Sequence, residues 1–440
     1  MSTWSPRLTP EDVSELPVLW EGDVIVVGGG SAGSAAAVAA GRQGASTLVV
    51  ERFGYLGGTG ASVLDTFYGF YAPGPNNERV VGGVAWEVAQ RLLDNGDAFE
   101  RPNTYGAGTG VTYEPDRLRM LWDDLVRGAG ADALLNTPVT RVVMDGTTVV
   151  GLVVETGQGP GLLAARAVVD ASGDAEVAWR AGAALERPLP GRRLQPLTAT
   201  FRMMGVEVGR TSTAELHQAM RVAAEAGDYR LPRREGSVHR TVLEGVVHTN
   251  LTRISGIDPT DPFELSAAER EGRLQIAEYA RFLVDRVPGY EHSTIVSTSD
   301  RIGVRESRRL LGRYVLTRDD VMSARDAWDA VARCGAPLED HDGGEATVWE
   351  YIGGAKPSGD TYGIPYRCLL PVDIDGLLVA GRCLSATHDA HASVRSMAQC
   401  MAMGQAAGTA AAMGVRAEVQ PGDLDVDQLR TQLTKDGVIL

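Results

Sequence analysis

The sequence predicts an α/β fold in which a discontinuous dinucleotide-binding domain carries a second, α+β domain. Three observations carry this expectation. Residues 23–52 alternate strand, glycine turn, helix and strand; residues 186–360 lose the glycine fingerprints and gain Pro and Arg; residues 361–440 return to the opening style of small and apolar residues. With 44% hydrophobic and 22% charged residues, 440 positions suffice for two or three domains with sizeable cores.

The first unit reads DVIVVGGGSAGSAAAVAAGRQGASTLVVER. Residues 23–27 are a short buried β run, residues 28–33 fit G-x-G-x-x-G, residues 31–41 form an Ala-rich helix, and residues 47–50 form a second strand. In such a Rossmann-like unit Gly28 permits the turn, Gly30 lets backbone N–H groups approach a pyrophosphate, and Gly33 lets helix pack on strand. The helix start, at Ser31 and Ala32, turns its positive end toward the phosphates. Glu51, eighteen residues past Gly33 and followed by Arg52, stands where an acid accepts ribose hydroxyls. A glycine-rich turn alone would fit many α/β proteins, but strand, glycines, helix, strand and acid occur here in the required order.

Residues 53–62, FGYLGGTGAS, set Gly57, Gly58 and Gly60 around Thr59; with Gly54 that is four glycines in seven positions, more than a plain loop needs. This suggests backbone running along a bound cofactor. Residues 63–110 read as irregular and aromatic. Their Gly106-to-Gly110 run reads as a loop and not as a second nucleotide fingerprint, because no β run precedes it and residues 111–115 do not open as a helix. A helix is expected over 114–127, with Pro115 in its first turn and Leu118, Leu121 and Leu125 on one face. Strands follow at 133–136, 139–144, 149–156 and 165–170, with Asp145-Gly146 as a hairpin signal. In VVDASGDAEVA, residues 168–178, a buried strand ends in a small-residue turn at Ala171 and Gly173. Asp174 there reads either as a helix N-cap or as a neighbour of the cofactor.

Helices at 213–227 and 266–287 and a strand at 197–204 mark the second domain. The chain then shows a strand at 377–380, a polar turn GRCLSATHDAH, and a helix at 393–413 with Arg395 in its first turn. The expected division is 20–66, 111–185 and 361–440 for the dinucleotide domain, 67–110 for an insertion near the second domain, and 186–360 for the substrate domain.

Charge and composition exclude several classes. Fifty-seven acids against 42 Lys+Arg leave −15, which argues against nucleic-acid or anionic-membrane binding. Only Lys356 and Lys435 are lysines, an Arg bias read as genome-driven. No stretch approaches the roughly 18 apolar residues of a membrane span. The first residues carry Pro and acids where a signal peptide carries a basic patch and an apolar core, so the expected location is cytoplasmic. Cys334, Cys368, Cys383 and Cys400 form no C-x-x-C and read as buried reduced thiols; with no H-E-x-x-H either, no metal is expected.

In order along the chain, LPVLWEGDVIVVGGGSAG, VVERFGYLGGTGAS, ESRR at 306–309, YGIPYRCLLP at 362–371 and GLLVAGRCLSATHDAHASVRSMAQCMAMGQAAG at 376–408 resemble the FAD-dependent oxidoreductases of the glutathione-reductase-like superfamily. The resemblance is to the branch with a single dinucleotide fold, related to fumarate reductase and succinate dehydrogenase flavoproteins. It implies that residues 28–33 and Glu51 hold the ADP half of FAD and that backbone near Val139 holds the adenine. Gly57, Gly58, Thr59 and the Gly381-Arg382 turn would hold the flavin end. Ala380-Gly381-Arg382 stands where aromatic hydroxylases carry Gly-Asp, which weighs against hydroxylation. A second fingerprint for NAD(P)H is missing, as are cluster cysteines. The expected activity is hydride transfer between flavin N5 and a small polar organic substrate, as dehydrogenase, oxidase or reductase. Flavin monooxygenation and a non-catalytic FAD-binding regulatory module are the alternatives. The expected partners are the substrate and an electron donor or acceptor, and a homo-oligomer is allowed.

For the proton step the candidates are His388 and His391, since imidazole titrates near neutrality; each also reads as a turn residue bonded to backbone. Arg305 and Arg308 flank Glu306 in the densest charge cluster of the second domain, either on a solvated helix face with a Glu306–Arg309 pair or reaching the flavin or substrate. Tyr362 and Tyr366 flank Pro365, as core or as cleft wall. Arg395 and the adjoining helix dipole favour negative charge at flavin N1 and O2 on reduction.

Overall fold

The computed structural model describes residues 5–103, 106–188, 194–341 and 347–440. In chain order the elements that build the site are β1 (Val18–Val27), α1 (Ser31–Arg42), β2 (Thr47–Val50), α2 (Pro115–Gly128), β3 (Ala131–Leu134), β4 (Val139–Asp145), β5 (Thr148–Thr156) and β6 (Gly159–Asp170). The second sheet follows, with β7 (Phe201–Met204), β8 (Ser237–Arg240), β9 (Val246–Asn250), helix α3 (Pro262–Arg286) and β10 (Thr294–Thr298). The chain returns through β11 (Leu377–Val379), α4 (His388–Val394) and α5 (Met397–Ala417).

The main sheet is α/β and Rossmann-like. Strands β3, β2, β1, β6 and β11 run parallel in that spatial order. Strand β6 divides its outer edge: residues 159–164 pair antiparallel with β5, whereas Val168–Asp170 pair parallel with β11. A β4–β5 hairpin thus leaves the sheet halfway along and frees the carboxyl end of β6 for the returning chain. The central strands read as continuous apolar runs because both faces are covered. One face carries α1, α2 and α5; the other packs β4, β5 and helix Glu176–Ala181.

Helix α5 lies on α1 at backbone distance. A Cβ at Gly404 would stand 2.0 Å from the Ala32 carbonyl oxygen, and one at Gly408 would stand 2.1 Å from that of Ala36. Glycine at these two positions, one helical turn apart, is what permits the contact, and the register makes the two helices parallel.

The second sheet, in the order β8-β9-β7-β10, is antiparallel. Its apolar face, with Phe201, Met203 and Val247, packs on Met220, Tyr279 and Phe282 from helix Thr213–Glu225 and α3. The fold is therefore a Rossmann-like α/β unit with a second α+β unit.

Three expectations are corrected. Residues 63–110 are not irregular: they hold helix Gly83–Asp94 and strands Thr66–Phe67, Ala98–Pro102 and Thr109–Tyr113. Helical spacing of buried Val84, Val88 and Leu92 carries that helix, and a β run does precede Gly106, whose φ of +77° and that of Gly108 make the turn of a hairpin. The helix expected at 393–413 does not start at 393. It is split at Arg395-Ser396, where Ser396 is extended (ψ 148°), so His388 and His391 lie on a short helix capped by Thr387. Asp174 is not the N-cap after β6. The N-cap position is Ala175, in the left-handed region, and it is buried Asp170 that accepts from the Val177 and Ala178 amides at 2.8 and 2.9 Å.

Candidate functional site

The carboxyl ends of β1, β2, β6 and β11 open onto one cavity of about 470 Å³ that continues to the second sheet. Open α/β sheets bind ligands at this edge. Two glycine turns form its floor. Gly28 has φ +91°, and a Cβ there would lie 2.7 Å from the Ala171 carbonyl oxygen. At Gly30 a Cβ would meet protein only at 3.9 Å, so the space beside it belongs to the cleft. Gly33 lies behind, where a Cβ would stand 1.7 Å from the Gly28 oxygen, so only glycine lets α1 start against the turn. The second turn is pinned to the first: Gly57 N–H donates to the Gly29 oxygen at 2.7 Å, and a Cβ on Gly58 would be 2.7 Å from Gly30 Cα.

Glu51 lines the cleft, and its carboxylate accepts from the Gly29 amide at 2.7 Å and the Phe53 amide at 2.9 Å. Each oxygen retains a further lone pair for a ligand hydroxyl. Thr137 to Thr140, Gly173, Glu176 and Arg180 close this end. The helix starts at Ser31 and Met397 both face the cleft, which brings two positive helix ends to it.

Of the residues expected to hold the cofactor, Gly28, Gly30, Ser31, Ala32, Glu51, Arg52, Gly58, Thr59, Val139, Ala171, Gly173, Gly381, Arg382 and Arg395 line the cavity. Gly33, Gly57 and Asp174 stand one layer behind. Asp174 accepts from Arg382 at 2.7 Å and from the Ser307 hydroxyl at 2.6 Å. Burial pushes its carboxyl up, but Arg382 and Ser307 outweigh that and hold it at about 2. It fixes the guanidinium that does reach the cleft.

The expected catalytic residues are divided. Arg305 lines the cleft; Arg308, Tyr362, His388 and His391 do not. Arg308 donates to the Asp174 carbonyl at 2.8 Å and lies over Trp179. Tyr362 is fully buried, its hydroxyl 2.8 Å from Ser393 Oγ. His388 Nδ1 sits 2.8 Å from Glu306, a buried acid that also binds Arg309 and the Gln195 amide. His391 is buried with Nε2 bonded to the Arg382 carbonyl at 2.7 Å, and burial followed by the nearby Arg309 and Arg395 holds its pKa well below the usual histidine value.

Inside the cleft the titratable pair is His341 and Glu339, which the sequence reading did not single out. His341 Nε2 lies 3.1 Å from Glu339, and Nδ1 lies 2.9 Å from Thr347. Burial and Arg305 hold His341 down to about 3. Glu339 is pushed up by burial, but His341 and Arg395 prevail and hold it at about 2. Neither belongs to a motif; only assembly of distant segments reveals them.

A second unexpected group lies behind the chamber. Asp65 faces His239 Nε2 at 2.9 Å and His248 Nδ1 at 3.6 Å; Asp65 and His248 are buried and His239 is partly buried. Burial pushes the Asp65 carboxyl up, yet His248, His239 and Arg202 hold it well below the usual range. Arg202 supplies fixed positive charge 3.9 Å from Asp65, and His248 ties the cluster to the Val63 carbonyl at 3.1 Å. The group clamps the loop after Thr59–Ser62 to the second sheet.

Comparison with curated proteins found no match. Solved structures align over nearly the whole chain. A geranylgeranyl bacteriochlorophyll reductase-like protein from Thermoplasma acidophilum has 16% identity and TM-score 0.46, covering 94% of this chain and 83% of its own. The anhydrotetracycline hydroxylase of Streptomyces rimosus has 13% identity and TM-score 0.48, covering 94% and 66%. The p-nitrophenol 4-monooxygenase of Pseudomonas putida has 12% identity and TM-score 0.45, covering 95% and 84%. No helix among the described residues is long and apolar enough to cross a membrane. The model of FAD dependent oxidoreductases matches residues 23–433, nearly the full length over which the glycine turns, Glu51, the Arg382 turn and α5 are distributed, and the chain belongs to that family.

Proposed function

We propose that this chain transfers a hydride between FAD and a small polar organic molecule, as a dehydrogenase, oxidase or reductase of the single-fingerprint branch. One observation carries the reading: the glycine-lined end of the cleft opens, past Thr59 and Met397, into a chamber walled by charged side chains of residues 233–341. The residues present fit FAD, since the Gly28 and Gly30 backbone leaves room at a helix start and Glu51 retains acceptor capacity beside it. When bound, FAD supplies a two-electron donor and acceptor at N5.

The chain does the rest. Two parallel helix starts favour negative charge along the cleft. Arg382, fixed by Asp174 and Ser307, and Arg395 add full charges there. Among the groups lining the chamber the proton step falls to His341, an imidazole 3.1 Å from Glu339 whose burial beside Arg305 keeps it neutral and open to accept a proton from a reacting group. His388 and Glu306 position α4 from outside the cleft.

Anaerobic mixing of FAD-loaded protein with 2-hydroxy acids, amino acids and alcohols tests the reading, followed by light-driven reduction and reoxidation with quinone, ferricyanide or oxygen. Flavin bleaching by one class, or reoxidation by an organic acceptor, is expected. Oxygen consumption yielding a hydroxylated product, or a flavin inert in both directions, overturns it.

A further inference from the structure

The chamber gathers guanidinium groups faster than it gathers acids. Arg233, Arg305 and Arg395 all line it, and Arg253 stands behind. Arg233 and Arg253 share one oxygen of Glu235, each at 3.1 Å. Arg305 donates to the Pro196 carbonyl at 2.6 Å and has no carboxylate within 4.0 Å among the described residues. Arg395 Nε and Nη2 are shut off from solvent without a hydrogen-bond partner. Glu339 faces this group, shared with His341, while Asp340 is bound by Gln195 at 2.7 Å.

Shielded donors left unpaired are costly, and a guanidinium among other guanidiniums more so. Such a site is stabilised by an anion, and the planar fork of Arg matches a carboxylate with two parallel hydrogen bonds. Tyr68, Leu64, Val304 and Trp349 supply apolar wall beside the charges, which suits a carbon skeleton better than a bare inorganic ion.

We propose that the chamber binds a small organic carboxylate, with Arg305 and Arg395 as its ligands and Arg233 adding to the field. The proposal rests on the FAD reading, because it assigns the end of the cleft opposite the glycine turns. It names the substrate class: organic acids, held by the carboxylate so that the neighbouring carbon faces the join at Thr59 and Met397.

The test is a titration of the FAD-loaded full chain with acetate, malonate and glutarate. Acetamide, malonamide and inorganic phosphate serve as comparators, and both the flavin difference spectrum and calorimetry are read. At least one carboxylate should bind and perturb the flavin, while its amide should not. Arg305→Gln and Arg395→Gln should each weaken that binding about tenfold to a hundredfold, in Arg305→Gln with flavin per chain unchanged, and Arg305→Lys should recover part of it. Equal response to acid and amide, response to phosphate alone, or unchanged affinity in both Gln variants overturns the proposal. A chain that stays colourless with added FAD yet takes up the carboxylate breaks the FAD reading alone. A yellow chain indifferent to all three acids breaks the carboxylate proposal alone.

Discussion

The two ends of the cleft are built by opposite means. At the glycine end the functional groups are backbone amides, displayed because side chains are missing at Gly28, Gly30 and Gly58 and because a helix begins at Ser31. At the other end they are the tips of long side chains, Arg233, Arg305, Glu339 and His341, brought together from strands and loops far apart in the chain. A backbone site tolerates little change in shape, and its main-chain donors do not titrate. A side-chain site tolerates changes in shape, but its chemistry depends on every charge around it.

The largest expected effect comes from breaking the backbone end. Gly33→Val places side-chain carbon against the Gly28 carbonyl, so soluble protein and bound flavin should both be lost, read by flavin absorbance per chain and by thermal melting. Normal loading in that variant would mean that the turn is not held as described. At the side-chain end, His341→Gln should leave FAD bound and slow flavin reduction by about 10²-fold or more, whereas His388→Gln should slow it far less. Stopped-flow mixing with the true substrate ranks the two, and the reverse order would return the proton step to α4.

Glu51→Ala should sharpen the contrast from the backbone side. It leaves the Gly29 and Phe53 amides without their carboxylate, at about 1–3 kcal/mol, or roughly tenfold to a hundredfold in FAD affinity, measured by titrating apoprotein. Arg395→Ala should lower the flavin potential by some tens of millivolts, about 30 mV for each 1.4 kcal/mol in a two-electron couple; an unchanged potential places Arg395 with the substrate alone.

The smallest effect is in stability against pH. His248 at about 4 and His341 at about 3 lie below the unfolded value near 6.5, so the unfolded chain binds more protons in that window. Their contribution is full above about pH 6.5 and is lost as pH falls toward 4 and 3. Asp174 and Glu339, both held at about 2, lose theirs as pH falls below the ordinary carboxylate range, in the same direction. Melting temperature should decline steadily between pH 7 and 4, and less steeply in a His341→Gln variant.

Legibility in sequence follows the same division. The Gly28-to-Gly33 spacing, Glu51 and the small residues after β6 could be read because a backbone site needs contiguous residues of special shape. The strand at 47–50 and helix α2 were legible from periodicity to within a residue or two. Helix Gly83–Asp94 was hidden because its neighbours are rich in Gly and aromatics, although its buried positions keep helical spacing. The break at Arg395-Ser396 was hidden in an unbroken run of helix-forming residues. His341 and Glu339 could not be found at all, since their significance comes from Arg305 and Arg395, 36 and 54 positions away when counted from Arg305 to His341 and from His341 to Arg395.

The contact of α5 with α1 has a consequence for measurement within the molecule. Gly404 lies against Ala32 and Gly408 against Ala36, so α5 begins seven residues ahead of its contact and α1 only one. At 1.5 Å per residue the two positive poles are offset by about 9 Å along a common axis. Meshed glycines thus act as the teeth of a ratchet that locks this offset. Slipping by one tooth would move one pole about 6 Å relative to the other. The spacing of the two positive helix starts along the cleft is therefore set by helix register, at Gly404 and Gly408, neither of which lines the cleft.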